Sequence, residues 1–300
     1  MPKVSVIIPT YNNANQICEA IDSVLAQTFK DYEIIVVDDG SIDNTKKRIM
    51  KYGDKIKYLY QRNKGPSGAR NKGIIESQGE YIAFLDADDL WLKDFLEKMV
   101  KKIEEGHDWV ICNATKILFN KDKEIARVNL EDNLSRMNRY GSPVNLVLLE
   151  GVLGFIGVSL LRKKYLLENN FFFDGKLNGL EDRDMALRLL FNGCRVAFLN
   201  DYLEYYRRFI GFSHITKTGN TNIRLYNFYR KHWKLYITLG LQKELSSFFW
   251  SLSGEFIFVC GDLFKGVKSL FWSFFSSPFE SGKHAANFLN KKLFYKFGFK

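Results

Sequence analysis

Short apolar runs alternate with helix-patterned stretches through the first third of the chain, and each run stops at polar or acidic residues. "VSVIIP" has the unbroken apolar, β-branched character of a strand buried on both faces. "NQICEAIDSVLAQT" follows, with Ile17, Ile21 and Val24 at helical spacing. "YEIIVVDDGS" is a second buried strand, and "NTKKRIMKYGD" a short helix with Asn44 or Asp43 as N-cap. "IKYLYQ" is a third strand, "SGARNKGIIESQG" a helix closed by Gly79, and "EYIAFLD" a fourth strand. "DLWLKDFLEKMVKKIEEG" is an amphipathic helix ending at Gly106, with Asp89 at its start, and "DWVICN" a fifth strand. This β-α-β-α-β order predicts a mainly parallel, doubly wound α/β sheet with right-handed crossovers.

Such sheets bind ligands beyond the carboxyl ends of their strands. The polar punctuation falls there: Pro9-Thr10-Tyr11-Asn12, Asp38-Asp39-Gly40-Ser41 and Asp86-Ala87-Asp88. Convergence of three strand ends on one rim says more than any one motif. Asp38-Asp39-Gly40-Ser41 reads either as a turn with capping residues or as a carboxylate that accepts from a base or ribose. Asp86-Ala87-Asp88 reads either as a cap for the next helix or as a cation site. Along a strand end, positions i and i+2 point the same way, and two such carboxylates suit a hard divalent cation on a diphosphate. "GPSGARNKG" lacks both the P-loop and the G-x-G-x-x-G spacing, so neither an ATPase nor a dinucleotide-dependent dehydrogenase is indicated. Lys64 and Arg70 there either screen a nucleotide phosphate or are solvated surface charges.

The excess of 44 basic over 34 acidic residues, a net charge of +10, favours anionic partners. No nucleic-acid motif accompanies it, so nucleic acid is not expected as a partner. The four cysteines form no C-x-x-C pair, which points to a reducing, cytoplasmic setting rather than a disulfide framework or zinc site. "MPKVSVIIPTYNN" does not read as a signal peptide, and no apolar stretch is long enough for an ordinary membrane span.

"VSVIIPTYNN", "IIVVDDGSIDNT", "NKGPSGARNKGI", "GEYIAFLDADD" and "LEDRDMALRL" resemble, in order and spacing, the motifs of family 2 glycosyltransferases. The resemblance covers about residues 3 to 210 and is specific for the family, not for the sugar. It implies the GT-A fold: a catalytic domain over 1–215, with a nucleotide-binding half over about 1–113 and an acceptor half over about 114–215. It also implies a nucleotide-sugar donor, most commonly UDP-linked, a glycan or lipid-linked acceptor, and Mn²⁺ or Mg²⁺.

The roles carry over one position at a time. Pro9 and Tyr11 resemble residues lining the base pocket, and Asp39 the carboxylate that reads uracil. Arg70 stands where the family contacts base or phosphate, and Lys64 and Ala87 flank the same donor site. Asp86 resembles the residue near the ribose and Asp88 the metal ligand. Asp182 resembles the general base of inverting members, which takes the acceptor proton as the hydroxyl attacks. For Glu181, Asp182 and Asp184, favourable charge in a helix's first turn is the other reading. Glu181, Arg207 and His214 are candidates for the diphosphate or acceptor; His214 also reads as a surface or packing residue. The Q-x-x-R-W motif of processive synthases is not in the sequence, which favours addition of a single sugar. Two other readings are a decayed nucleotide-sugar binding or scaffold protein and a sugar nucleotidyltransferase. Intact Asp39, Asp86, Asp88 and Asp182 speak against the first. The second needs a glycine-rich basic loop directly after strand one, where "PTYNNANQ" stands.

Residues 216–300 change character to helices rich in Phe, Trp and Lys. Phe264, Val267, Phe271 and Phe274 lie near helical spacing, with Lys265 and Lys268 off that stripe. This reads either as an amphipathic element peripheral to an anionic membrane face or as a helical subdomain that packs on the core or on a second copy.

Overall fold

The computed structural model describes residues 1–144, 147, 156–177, 179–210, 221–254, 268, 269, 272, 273, 276, 277 and 281. The chain divides into two compact units, Met1–Ile215 and Thr216–Lys300.

The first unit is built on one sheet. Strands β1 (Val4–Thr10), β2 (Tyr32–Asp38), β3 (Lys57–Tyr60) and β4 (Tyr81–Phe84) are linked by helices α1 (Ile17–Leu25), α2 (Thr45–Ile49) and α3 (Gly65–Glu76). All seven residues of β1 are buried. That is what an unbroken apolar strand requires when both faces are covered. β1 pairs in parallel with β2 and β4, and β2 with β3, so these strands end at one rim. α3 opens on Gly65-Pro66, where proline's missing N–H costs nothing.

The rest of the unit comprises β5 (Leu90–Trp91), α4 (Phe95–Ile103), β6 (Trp109–Asn120), β7 (Lys123–Asn129), α5 (Asn133–Tyr140), β8 (Ser159–Arg162), α6 (Lys163–Glu168), α7 (Glu181–Phe191) and β9 (Val196–Ile210). The nine-stranded sheet runs β3-β2-β1-β4-β8-β6-β9-β5, with β7 on β6. It is mainly parallel, as the β-α-β pattern predicts. The fifth predicted strand, β6, does not pair with β4. The short apolar run "SLLR" forms β8 and lies antiparallel between them, with Leu160 opposite both Ala83 and Val110. Local sequence specifies that such a run is buried, not which neighbours it takes.

Two expectations for local structure are corrected. α3 ends at Glu76, with Ser77 extended, so Gly79 does not close it. Gly79 is needed for a different reason: a Cβ there would stand 2.5 Å from the Ser5 backbone nitrogen. The amphipathic helix starts at Phe95, after Asp94, and not at Asp89. Leu90 and Trp91 instead pair antiparallel with Tyr205 and Glu204 of β9.

The second unit holds α8 (Thr221–Thr238) and α9 (Gln242–Gly254). Their aromatic faces meet, with Tyr229 stacked on Phe248 at 3.6 Å between centroids and Phe228 and Phe249 fully buried. The hydroxyl of Ser246 lies 3.2 Å from that of Ser273 and 3.0 Å from that of Ser281. Among the described residues no helix is long and apolar enough to cross a membrane. The stripe of Phe264, Val267, Phe271 and Phe274, with Lys265, lies outside the described residues.

Candidate active site

The loops after β1 and β2 are tied together. The Asn12 side-chain oxygen accepts from the Ile42 N–H at 2.9 Å, and Ser41 Oγ accepts from the Asn12 N–H at 2.9 Å. Asp43 caps from the side: its oxygens accept from Thr45 N–H at 2.9 Å and Ala14 N–H at 3.2 Å. Tyr11 leaves this frame 46% exposed, while Pro9 is buried.

Asp38 and Asp39 divide the work at the end of β2. Asp38 is structural: its oxygens accept from Ser41 N–H and the Tyr58 hydroxyl, both at 2.8 Å. Asp39 Oδ1 accepts from Gln61 Nε2 at 2.6 Å and from the Lys64 N–H at 2.9 Å. Both bonds land on one oxygen, which fixes the carboxylate while its other oxygen makes no bond to a described residue. Lys64 contributes here through its backbone; its side chain is exposed.

Arg70 joins Asp86 to α7. Only 4% exposed, it donates from Nη2 to Asp86 at 2.8 Å and from Nη1 to Glu181 at 3.2 Å, with Asp182 at 3.6 Å. Burial works against its charge, but Asp86, Asp182 and Glu181 overcome that and hold its pKa above the ordinary value. Glu181 is committed on its other oxygen to the Gly179 N–H. Asp184 is fully buried and pairs with Arg188 at 2.8 Å one turn on, a structural role.

Asp182 differs from these partners. Its side chain is 32% exposed, yet Oδ1 is enclosed and accepts no hydrogen bond. Burial raises its pKa, Arg70 pulls it down, and Glu181 and Asp86 push it up again, so the group is pushed up to about 7. A helix N-terminus is worth roughly 0.3–1 kcal/mol to an anion, too little to cancel enclosure among like charges.

The Asp86–Asp89 segment is braced by β9. Asp89, 3% exposed, accepts from the Arg207 N–H at 2.7 Å, so it anchors the segment to the sheet rather than starting a helix. The Arg207 guanidinium is buried and donates to the Asp88 carbonyl and to Glu19. It thus shapes the segment from below. Ala87 is buried between the two acids. Burial and the Asp86 charge push the Asp88 carboxyl above its usual range. Behind the segment, Trp91 Nε1 donates to the Gly157 carbonyl at 3.0 Å, and Glu204 lies against Gly157.

The resemblance to family 2 glycosyltransferases implies a divalent cation, and the donor set fits one. Asp86 and Asp88 offer hard oxygen ligands, and among the described residues no side chain donates to the Asp88 carboxylate. Among the described residues no three His, Cys, Asp or Glu side chains converge as a metal-binding group. A cation held here would take its other ligands from diphosphate and water.

The structure therefore brings Arg70, Asp86, Glu181 and Asp182 into contact and sets Asp39 and Tyr11 on the same rim. His214 lies outside the described residues. Sequence reasoning did not single out Gln61, which holds Asp39, or Glu204. The only trace of Glu204 in the sequence is a lone acid among the apolar and aromatic residues of "YLEYY".

A mainly parallel α/β sheet whose strand ends carry these acids is the GT-A arrangement of a glycosyltransferase. Solved structures share it: S. aureus TarS superposes with a TM-score of 0.65 at 22% identity, over 93% of this chain and 50% of that one. TarS residues 1–349 in complex with UDP-GlcNAc give 0.63 at 20% identity, over 93% of this chain and 82% of that one. At such identity the likeness is one of fold. Residues 5–171 match the sequence model of Glycosyl transferase family 2, and the chain belongs to that family. An uncharacterized glycosyltransferase of Rickettsia typhi is 31% identical over 247 residues, 81% of this chain and 74% of that protein. A Campylobacter jejuni GalNAc(5)-diNAcBac-PP-undecaprenol beta-1,3-glucosyltransferase is 43% identical over 132 residues, 42% of each protein. Relatives from Rickettsia felis and Rickettsia conorii are 50% identical over 107 residues, and this stretch spans only 18% of their length.

Proposed function

We propose that the chain moves one hexose, with inversion, from a UDP-linked sugar to a hydroxyl of a glycan or lipid-linked acceptor, with Asp182 as general base. The observation that carries this is Asp182 itself: a carboxyl pushed up to about 7, with an enclosed oxygen that accepts no hydrogen bond and lies 3.6 Å from Arg70, which ties it to Asp86. A base poised near neutral pH accepts a proton and releases it again at little cost.

In the proposed step the acceptor hydroxyl gives its proton to Asp182 as its oxygen bonds the anomeric carbon. The bond from that carbon to the diphosphate oxygen breaks on the opposite face, and the electron pair leaves with the diphosphate. Arg70 holds Asp86 and Asp182 in register. Asp39 accepts the N–H of uracil, and Tyr11 covers the ring. A divalent cation at Asp88 and Asp86 would supply the charge that offsets the departing diphosphate. The UDP-GlcNAc complex of TarS supports the donor class, and the undecaprenol-linked acceptor named for the Campylobacter relative supports the acceptor class.

Asp88→Asn and Asp182→Asn are expected to abolish transfer, and the wild-type product is expected to carry the anomeric configuration opposite to the donor's by NMR. Near-normal turnover in both variants, or retention, overturns the mechanism. Thermal-shift screening against nucleotide sugars with Mn²⁺ identifies the donor. The proposal extends to location. The basic, aromatic C-terminal segment sets the transferase against an anionic membrane face, so the chain should co-sediment with anionic but not zwitterionic vesicles, and less at high salt.

A further inference from the structure

Gln61 and Asp39 each stand one residue past the end of a strand. The Gln61 N–H donates to the Asp38 carbonyl at 3.0 Å, which carries the β2–β3 pairing one step beyond Tyr60. The Asp39 N–H donates to the Thr10 carbonyl at 2.9 Å, which does the same for the β1–β2 pairing. The sheet therefore fixes both main chains, and both residues are buried.

Their side chains meet. Gln61 Nε2 donates to Asp39 Oδ1 at 2.6 Å, and the Lys64 N–H, at the start of α3, donates to the same oxygen at 2.9 Å. A carboxylate oxygen has two lone pairs in its plane, and these two donors occupy both. Asp39 Oδ2 makes no bond to a described residue and, unlike Asp182 Oδ1, is not sealed from solvent. Neither donor is charged, so the carboxylate is held in place without an ion pair to neutralise it. Two glycines let these segments close on one another. Gly40 has φ +86°, and a Cβ there would lie 3.0 Å from the Asn63 nitrogen and 3.4 Å from the Gln61 carbonyl oxygen. A Cβ on Gly68 would lie 2.6 Å from Lys64 Cβ.

We propose that Gln61 is a positioning residue for base selection. By filling Asp39 Oδ1 together with the Lys64 N–H, it fixes the plane of the carboxylate and leaves Oδ2 as an acceptor. An acceptor in that place suits a pyrimidine with an N3–H, uracil or thymine. It opposes cytosine, whose N3 carries a lone pair instead of a proton, so the wrong base meets repulsion and not merely a lost bond. Gln61 acts through Asp39 and does not itself touch the base. This inference rests on the reading of Asp39 as the carboxylate that contacts uracil.

Calorimetric titration of the full chain with UDP and with CDP, at one fixed Mn²⁺ concentration, tests it. The two nucleotides carry the same ribose and diphosphate, so their affinity ratio reads the base alone. The wild type is expected to favour UDP by about 10-fold or more. Gln61→Met keeps the length of the side chain and removes the donor. It is expected to weaken UDP by about 10-fold and CDP far less, so that the ratio collapses. A role confined to stability would lower Tm and weaken both nucleotides equally. A wild-type ratio in Gln61→Met therefore overturns the role of Gln61 and leaves Asp39 as the base reader. No preference for UDP in the wild type overturns both. Should Gln61→Met not fold, Gln61→Asn keeps the amide and withdraws it by one methylene; a collapsed ratio there supports the role, and an unchanged ratio overturns it.

Discussion

Asp182 works against the stability of the chain that carries it. Its pKa is pushed up to about 7 because burial and the neighbouring acids disfavour its charged form more than Arg70 favours it. The folded protein therefore holds this proton where the unfolded chain has lost it. The stabilisation is complete at pH values below the ordinary aspartate range and is lost as pH rises to about 7. Asp182→Asn is fixed in the neutral form. It should raise Tm over wild type at pH 8, with the gain shrinking toward pH 5. The rate with the wild-type enzyme should climb with pH through about 7 and level above it, because the base must be ionised. A flat profile, or a lower Tm for the variant at pH 8, contradicts this assignment. At this scale the motif letters pointed to Asp39, Asp86, Asp88 and Asp182, and the structure joins Asp86 and Asp182 through Arg70. The letters did not show that Arg70 would be enclosed among Asp86, Glu181 and Asp182, because residues 70 and 182 meet only through folding.

Elements are set by two physical signals, and only one of them is local. Unbroken apolar runs gave β1, β2 and β4, and helical spacing gave α1 and α4. Each is a property of neighbouring residues that the fold did not override. Pairing is non-local. β8 inserts antiparallel between β4 and β6, and β5 is a two-residue strand made possible by Asp89 holding the Arg207 N–H. Gly79 shows the same limit. It looks like a helix stop, but its constraint is the Ser5 backbone nitrogen 2.5 Å from where its Cβ would lie. Gly79→Ala must shift β1 or the loop before β4, an overpacking cost of roughly 1–3 kcal/mol. Urea unfolding should show that loss in midpoint with little change in slope. A silent substitution would mean that the loop relaxes freely.

At the scale of the whole molecule, the candidate site residues fall within one of the two units. The complete nine-stranded sheet and all described site residues belong to the unit Met1–Ile215. A fragment of residues 1–215 is therefore expected to unfold cooperatively and to bind UDP as tightly as the full chain, by calorimetry. Loss of UDP binding in that fragment would show that residues 216–300 complete the donor site. What the sequence determined alone was the alternation of buried strands and helices, the acids at their carboxyl ends and the family they resemble, since these depend on residues adjacent in the chain. What only the tertiary structure decided was which acids share a partner. Arg70 bridges Asp86 to Glu181 and Asp182, and Glu204 comes to stand opposite Trp91. Charge interactions depend on distance and burial, and both are fixed only when strands far apart in sequence lie side by side.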